Sequence, residues 1–178
     1  MAVALIAVTG FVLAGSTTAD DPPGTPPAAQ LTDEQKLLRD LPAGFDASGC
    51  DTRRGKDPAQ TLAVAECTGG LGGTAAGQFA RLASTAALEA TFVGTATAGG
   101  VVKGPDDTVD LCRSGGTTRQ QWGDPAMVGG EVGCYVGSEG AHLFWTRTDT
   151  RVFCHVIRSD GNAAALYEWW GSLPSIAV

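Results

Sequence analysis

The sequence predicts an α+β domain in which an antiparallel sheet of about five strands carries packed helices. Three observations support this class. Short apolar runs alternate with turn-forming residues, capped apolar segments flank them, and successive strands connect through hairpins rather than crossovers. The predicted element order is α-β-β-α-β-β-β-α, stabilised by two disulfides.

The first three predicted elements follow from a capping signal and a hairpin pattern. Thr32 and Gln35 form a capping box, so a helix is expected from there to about Asp40, before Leu41-Pro42 ends it. Residues 60–67 are typical of a strand that leads into a glycine-rich turn. Residues 78–82 are its predicted partner strand.

The middle of the chain combines one clear helix with a long irregular segment. Ser84 is a helix cap, and Leu88 and Phe92 lie four residues apart, so both are expected to face the sheet. A long connecting segment from about Thr95 to Asp124 follows, and Cys112 is expected to anchor it through a disulfide.

The last part of the chain predicts three strands and a helix. The strands are residues 131–136, 141–148 and 151–158, and Thr148-Asp149-Thr150 makes the tight connection between the last two. Asp160 is the expected cap of the final helix, whose bulk comes from Leu166, Trp169 and Trp170.

The N-terminal residues indicate export from the cytoplasm. Residues 2–19 carry no charge, and about 18 apolar residues are the short limit for crossing a bilayer. No basic residue precedes the run, so residues 1–19 are either an anchor of a longer protein or an unusual cleaved signal peptide. Ser16 stands where a lipid-bearing cysteine would be, which disfavours lipidation. Residues 20–31 form a Pro-rich tether, and residues 32–174 the extracytoplasmic domain.

Composition excludes several classes of partner. The chain has 43% hydrophobic and 17% charged residues, which is typical of a globular domain. Its net charge of −7 argues against nucleic acid and anionic membrane surfaces, because both require a basic face.

The cysteines predict disulfides rather than a zinc site. No two of them are two to four residues apart, as zinc ligands usually are. In an exported domain the economical pairing joins neighbours, Cys50 with Cys67 and Cys112 with Cys134. Cys154 is left over in an apolar strand, where a buried inert thiol is the favoured interpretation and a mixed disulfide or dimer the alternative.

Known catalytic and binding motifs are weak in this sequence. Gly70-Leu-Gly72 follows a strand, but the next element is a hairpin partner, so a turn is favoured over a nucleotide site. No Gly-x-Ser-x-Gly motif is present. Asp106, Asp107 and Asp110 match no EF-hand spacing and are expected to form a solvated acidic loop. We expect no cofactor, no catalytic residue and no metal ligand.

The two histidines, His142 and His155, are candidate metal ligands. In a hairpin centred on Asp149, residue 142 lies opposite 156, so His142 and His155 point to opposite faces of the sheet. Cys154 would share a face with His142, but no third ligand is evident. A shared metal would require the register to shift by one residue.

The tryptophans are the candidate ligand groove. Adjacent helical residues point about 100° apart, so Trp169 and Trp170 cannot both fill one core pocket. One is expected to pack on the sheet while the other covers its edge or faces a groove with Trp145. Structural packing is the competing interpretation.

Several short motifs resemble a recurring actinobacterial domain. They are Gly130-Glu-Val-Gly-Cys-Tyr135, Phe144-Trp-Thr146, Asp160-Gly161, Leu166-Tyr-Glu-Trp-Trp170 and the opening segment of residues 37–45. The pattern is similar to extracytoplasmic domains attached, after a transmembrane helix and a Pro-rich tether, to serine/threonine protein kinases and related membrane or secreted proteins. This chain contains no kinase motif. The resemblance implies a sensor or interaction role and assigns no binding residue.

Three functions therefore remain open. The first is a non-enzymatic extracytoplasmic sensor or ligand-binding domain tethered to the membrane, with a small ligand or an envelope protein as partner. The second is a secreted cell-envelope structural or interaction protein. An unrecognised hydrolase is the least favoured. A concave aromatic pocket would favour the first, and a pocket joining a histidine to a carboxylate the third.

Overall fold

A computed structural model describes residues 30–103, 109–124 and 127–174. The predicted signal or anchor, nearly all of the predicted tether, and Asp106 and Asp107 of the predicted acidic loop lie outside these residues. Among the described helices, none is long and apolar enough to cross a membrane.

The described domain is built on one seven-stranded sheet in the order β1-β2-β3-β7-β6-β5-β4. Every neighbouring pair is antiparallel. The strands are β1 (Cys50–Arg54), β2 (Thr61–Gly69), β3 (Ala75–Leu82), β4 (Thr118–Asp124), β5 (Met127–Gly137), β6 (Gly140–Arg147) and β7 (Val152–Arg158). Two hairpin-connected groups of strands therefore meet in the middle of the sheet, where β3 pairs with β7.

Five helical segments accompany the sheet within the described residues. They are α1 (Asp33–Arg39), α2 (Gly70–Gly73), α3 (Thr85–Ala98), α4 (Val109–Arg113) and α5 (Ala163–Gly171), and a 3-10 turn covers Ala47–Gly49. α2 is a single tight turn in which Leu71 and Gly72 have positive φ. The predicted α+β class is confirmed, whereas the predicted five strands and their order with the helices were incomplete.

The two best-defined helix predictions hold. Thr32 and Gln35 cap α1 reciprocally, with side-chain to main-chain hydrogen bonds of 3.2 and 2.9 Å. The Ser84 hydroxyl accepts a hydrogen bond from the Ala87 amide at the start of α3. Leu88 and Phe92 are buried on its sheet-facing side, as their spacing indicated.

The two strands that the sequence did not predict are both polar edge strands. β1 reads Cys-Asp-Thr-Arg-Arg and no residue in it is fully buried. β4 reads Thr-Arg-Gln-Gln-Trp-Gly-Asp and lies inside the segment expected to be irregular. Alternation of apolar residues is weak in these two strands, each of which has only one neighbour in the sheet, and polar edges also limit edge-to-edge association. A period-two search therefore misses both.

The cap of the last helix was assigned to the wrong residue. The Asn162 side chain, not that of Asp160, accepts the hydrogen bond from the third amide of α5, at 3.0 Å. Asp160 instead accepts hydrogen bonds from Nε and Nη2 of the Arg158 guanidinium and from the Asn162 amide.

The predicted register between β6 and β7 was wrong by one residue. Arg147 pairs with Val152, so four residues form the connecting loop rather than a turn centred on Asp149. Arg151 takes a positive φ of 54° in that loop. His142 consequently lies opposite Ile157, and Phe144 lies opposite His155. Because side chains alternate along a strand, both histidines now occupy the same face of the sheet.

The core lies on both faces of the sheet. On one face, Leu37 of α1 and Leu166 and Trp170 of α5 pack on strand residues that include Phe79 and Trp145. On the other face, α3 contributes Leu88 and Phe92, which pack against the aromatic rings of β6 and β7. The sheet is thus covered by α1 and α5 on one side and by α3 on the other.

Both predicted disulfides are present. Cys50–Cys67 joins paired residues of β1 and β2, and Cys112–Cys134 joins α4 to β5. Cys154 is a free, buried thiol. The first bond closes the edge of the sheet, and the second holds α4 onto the opposite half.

Removing either disulfide should lower the free energy of unfolding. The loops they close span 17 and 22 residues, so each Cys→Ala pair should cost about 3 kcal/mol in the chain-entropy account. Urea unfolding of Cys50→Ala/Cys67→Ala and of Cys112→Ala/Cys134→Ala would measure this.

Reductant provides the control for that prediction. It should destabilise the wild-type chain but leave the variant lacking all four bonded cysteines unchanged, because Cys154 forms no disulfide among the described residues. A reductant effect of similar size on that variant would contradict the assignment.

Candidate functional site

A groove of about 410 Å³ opens on the sheet face that carries α1 and α5. One wall is the segment that follows α1, and the other is the segment that follows α5. Its floor is formed by β6 and β7. The apolar lining consists of Leu41, Pro42, Ala43, Trp145, Leu173 and Pro174. This volume lies within the range of small-molecule sites in proteins.

Three charged side chains stand in the same lining: Arg39, Asp40 and Arg147. Arg147 follows Trp145 by two residues on β6, so both point to the groove face. The Arg147 guanidinium donates to the main-chain carbonyl of Asp40 at 3.3 Å and to the Asp149 carboxylate at 3.2 Å. The main chain at the end of α1 therefore holds this side chain in place.

The Asp40 carboxylate is already shared between two guanidinium groups. One of its oxygens lies 3.5 Å from Arg39 Nε, and the other lies 3.4 Å from Arg81 Nη1. Arg81 also lies 3.4 Å from a carboxylate oxygen of Asp33. Asp40 is largely buried, whereas 65% of the Arg39 side chain is exposed at the rim.

The floor of the groove is closely packed. Trp145 is only 1% exposed, and its indole ring lies 6.0 Å from that of Trp169. Cys154 pairs with Trp145 across the two strands and is also 1% exposed. Burial raises the pKa of the Cys154 thiol far above its ordinary value, and the nearby Arg147 charge opposes that shift only in part. The thiol is therefore protonated and poorly nucleophilic.

The structure places the three predicted groove tryptophans in different roles. Trp145 lines the groove. Trp169 lies behind one wall, where its indole N–H donates to the Ala43 carbonyl at 2.9 Å. Trp170 is 4% exposed and packs edge-on against Trp122 at 6.2 Å, on the core side of α5. Trp145 and Trp169 therefore lie together at the groove, whereas Trp170 lies in the core.

Sequence reasoning did not identify the arginines of the groove. Arg39 and Asp40 were expected only as the end of a helix, and Arg147 only as part of a strand. Their meeting depends on tertiary contacts between residues more than a hundred positions apart, such as Arg147 to the Asp40 carbonyl. No local signal marks such a contact.

A second cluster lies on the opposite face of the sheet, where the two histidines of the chain meet. The Nδ1 atom of His142 and the Nε2 atom of His155 are 3.1 Å apart, so one ring donates to the other. Tyr135 stacks on His142 with ring centroids 4.2 Å apart. The expectation that these histidines face opposite ways was therefore wrong, and so was the expectation that Cys154 shares a face with His142.

Burial keeps both imidazoles neutral. It lowers the pKa of His155 from 6.5 to about 4, with a further lowering from the neighbouring His142. Burial also lowers the pKa of His142, although the Glu139 carboxylate opposes that shift. Tyr135 has a raised pKa, first because of burial and then because of Glu139.

The histidine pair does not complete a site for a metal ion. Within residues 30–103, 109–124 and 127–174, no three His, Cys, Asp or Glu side chains group closely enough to hold one. The small cavity beside His142 is lined by Tyr135 and by core residues, without a described carboxylate. In the described part of the chain, the two imidazoles hydrogen-bond each other.

A polar cleft of about 280 Å³ lies between α3 and the β4–β5 edge. Glu89 and Glu131 both line it, together with Gln121 and three threonines. The Thr146 hydroxyl accepts a hydrogen bond from the Glu131 amide at 2.8 Å. The cleft is acidic and lacks aromatic rings, which makes it a weaker candidate for ligand binding than the groove.

Comparisons with protein-family models, with curated proteins and with solved structures found no match to this chain. The function of the candidate site is therefore inferred from the geometry of the site alone.

The histidine pair predicts a pH-dependent stability. Because the folded chain favours neutral imidazole, the unfolded chain binds more protons between pH 6.5 and 4. The free energy of unfolding should therefore fall as the pH drops through this window, by about 3 kcal/mol for His155. Urea unfolding at a series of pH values would measure the slope.

The variant His155→Gln isolates this effect, because glutamine does not titrate. Carboxylate titration is common to both proteins, so the difference between their curves reports the imidazole. An identical slope between pH 6.5 and 4 in both proteins would show that His155 does not titrate as predicted.

Proposed function

We propose that this chain is a non-enzymatic extracytoplasmic ligand-binding domain, tethered to the membrane through its N-terminal residues, and that the groove beside Trp145 is its ligand site. The groove carries the proposal. It is concave, its walls and floor are mainly apolar, and a small number of charged groups line it, as in small-molecule sites of other proteins.

The two disulfides support an extracytoplasmic location. Such bonds form and persist in oxidising compartments and are rare in the cytoplasm. Residues 1–19, with no charged residue, supply the proposed anchor, and the proline-rich residues 20–31 the tether.

A binding role fits the chemistry of the site better than catalysis does. The Cys154 thiol is buried and kept protonated, so it is a poor nucleophile. The two neutral imidazoles hydrogen-bond each other on the opposite face of the sheet, away from the groove. The charged groups that do line the groove are guanidiniums and one carboxylate already held by two arginines.

Filling the groove should abolish ligand binding without unfolding the domain. Ala43 is exposed at the groove wall, and it accepts the Trp169 hydrogen bond through its main-chain carbonyl, which the substitution Ala43→Trp retains. A thermal-shift screen of small acids, amides, alcohols and sugars on the full chain should give hits that raise the Tm by a few degrees at saturating ligand. Those hits should be lost in Ala43→Trp.

Ala76→Trp is the matched control, because Ala76 is exposed on β3 away from the groove lining. It should keep every hit. Hits that survive in Ala43→Trp, or a screen without hits, would count against the groove as the ligand site.

Cell fractionation tests the membrane tether separately. An antibody against residues 32–178 should detect a membrane-bound band in the native organism, and a band well above 18 kDa would place this chain in a longer protein. A small band released into the culture supernatant would instead favour a secreted cell-envelope protein.

A further inference from the structure

We propose that the groove selects ligands that combine an apolar body with a carboxylate or a similar small anion. This inference rests on the proposed function, because it assigns a chemical class to the ligand of the same site. Its basis is the charge of the lining and the position of that charge relative to the apolar floor.

The lining is positive in a protein that is otherwise acidic. The chain has a net charge of −7, yet the groove is lined by two guanidiniums and a single carboxylate. That carboxylate, Asp40, is shared between Arg39 and Arg81, which leaves it little capacity to neutralise the rim. Arg81 is further balanced by Asp33, whereas Arg39 has no second carboxylate partner among the described residues.

Arg147 brings the positive charge down to the floor of the groove. Only 19% of its side chain is exposed, and its positive charge acts on the buried Cys154 thiol. Its carboxylate partner, Asp149, is 67% exposed, so water weakens their attraction. A guanidinium has five N–H donors in a planar fork, and the Asp40 carbonyl and Asp149 engage two of them within the described part of the chain.

Apolar side chains line the groove beside this charge. Leu41, Pro42, Leu173 and Pro174 form the walls, and Trp145 contributes to the floor. A cavity of about 410 Å³ suits a molecule of the size of an aryl-substituted short fatty acid. Charge-assisted bidentate hydrogen bonds between a guanidinium and a carboxylate are among the strongest polar contacts in proteins.

The test compares two probes that share one apolar body and differ in the head group, which is an anionic carboxylate in one and a neutral amide in the other. 4-Phenylbutyrate and its neutral amide, 4-phenylbutanamide, have the same apolar body, so isothermal titration calorimetry on the full chain isolates the contribution of the anion. We expect the carboxylate to bind about tenfold more tightly than the amide. The advantage should shrink in 1 M salt, because Arg39 is exposed and screened.

Three arginine variants locate the effect. Arg39→Gln alters an exposed rim residue and should reduce the carboxylate affinity without affecting folding. Arg147→Met should remove most of the preference for the carboxylate over the amide, with circular dichroism checking that it folds. Arg54→Gln is the matched control, because Arg54 is 85% exposed on β1 outside the groove, and it should change nothing.

The outcomes separate this inference from the proposed function. Equal binding of acid and amide, both lost in Ala43→Trp, would overturn the anion preference and leave the groove as a ligand site. A preference for the acid that survives in both Arg39→Gln and Arg147→Met would also overturn it. If neither probe binds, the inference is overturned, and the wider ligand screen alone then tests the proposed function.

Discussion

The pairing of β3 with β7 is the contact on which the rest of the domain depends. Seven residue pairs, from Ala75–Arg158 to Arg81–Val152, join residues that lie 71 to 83 positions apart in the chain. Each disulfide lies within one half of the sheet, so neither connects the halves covalently. The central pairing therefore closes the longest loop in the sheet, with a corresponding entropic cost that the burial of Phe79 and Phe153 helps to offset.

The candidate groove lies across this junction. Arg39 to Ala43 come from the first half of the chain, and Trp145, Arg147, Cys154 and Leu173 come from the second. Hydrogen bonds join the two sets of residues, from the Arg147 guanidinium to the Asp40 carbonyl and from the Trp169 indole to the Ala43 carbonyl. A ligand in the groove would contact both halves and so stabilise their association, because binding to the folded state alone raises the free energy of unfolding.

Local sequence signals predicted the elements that local interactions determine. The capping box at Thr32, the Ser84 cap with its Leu88 and Phe92 spacing, and the neighbour-to-neighbour disulfides all depend on short stretches of chain. The polar edge strands β1 and β4 were missed because hydrogen bonding to a neighbouring strand, not apolar alternation, defines them. Trp145 was recognised as a groove candidate from its residue type, but the arginines beside it depend on long-range packing.

A difference of one residue in the loop between β6 and β7 decides on which face of the sheet each histidine lies. A tight turn centred on Asp149 would place the histidines on opposite faces, whereas the observed four-residue loop, with Arg151 at positive φ, places them together. The Arg151 guanidinium donates to the Ala83 carbonyl, and the Leu82 amide donates to the Arg151 carbonyl, so the end of β3 holds the loop in this form. Tertiary contacts thus select the register of β6 and β7. This register brings the two histidines together on one face and places Cys154 beside Trp145 on the groove face.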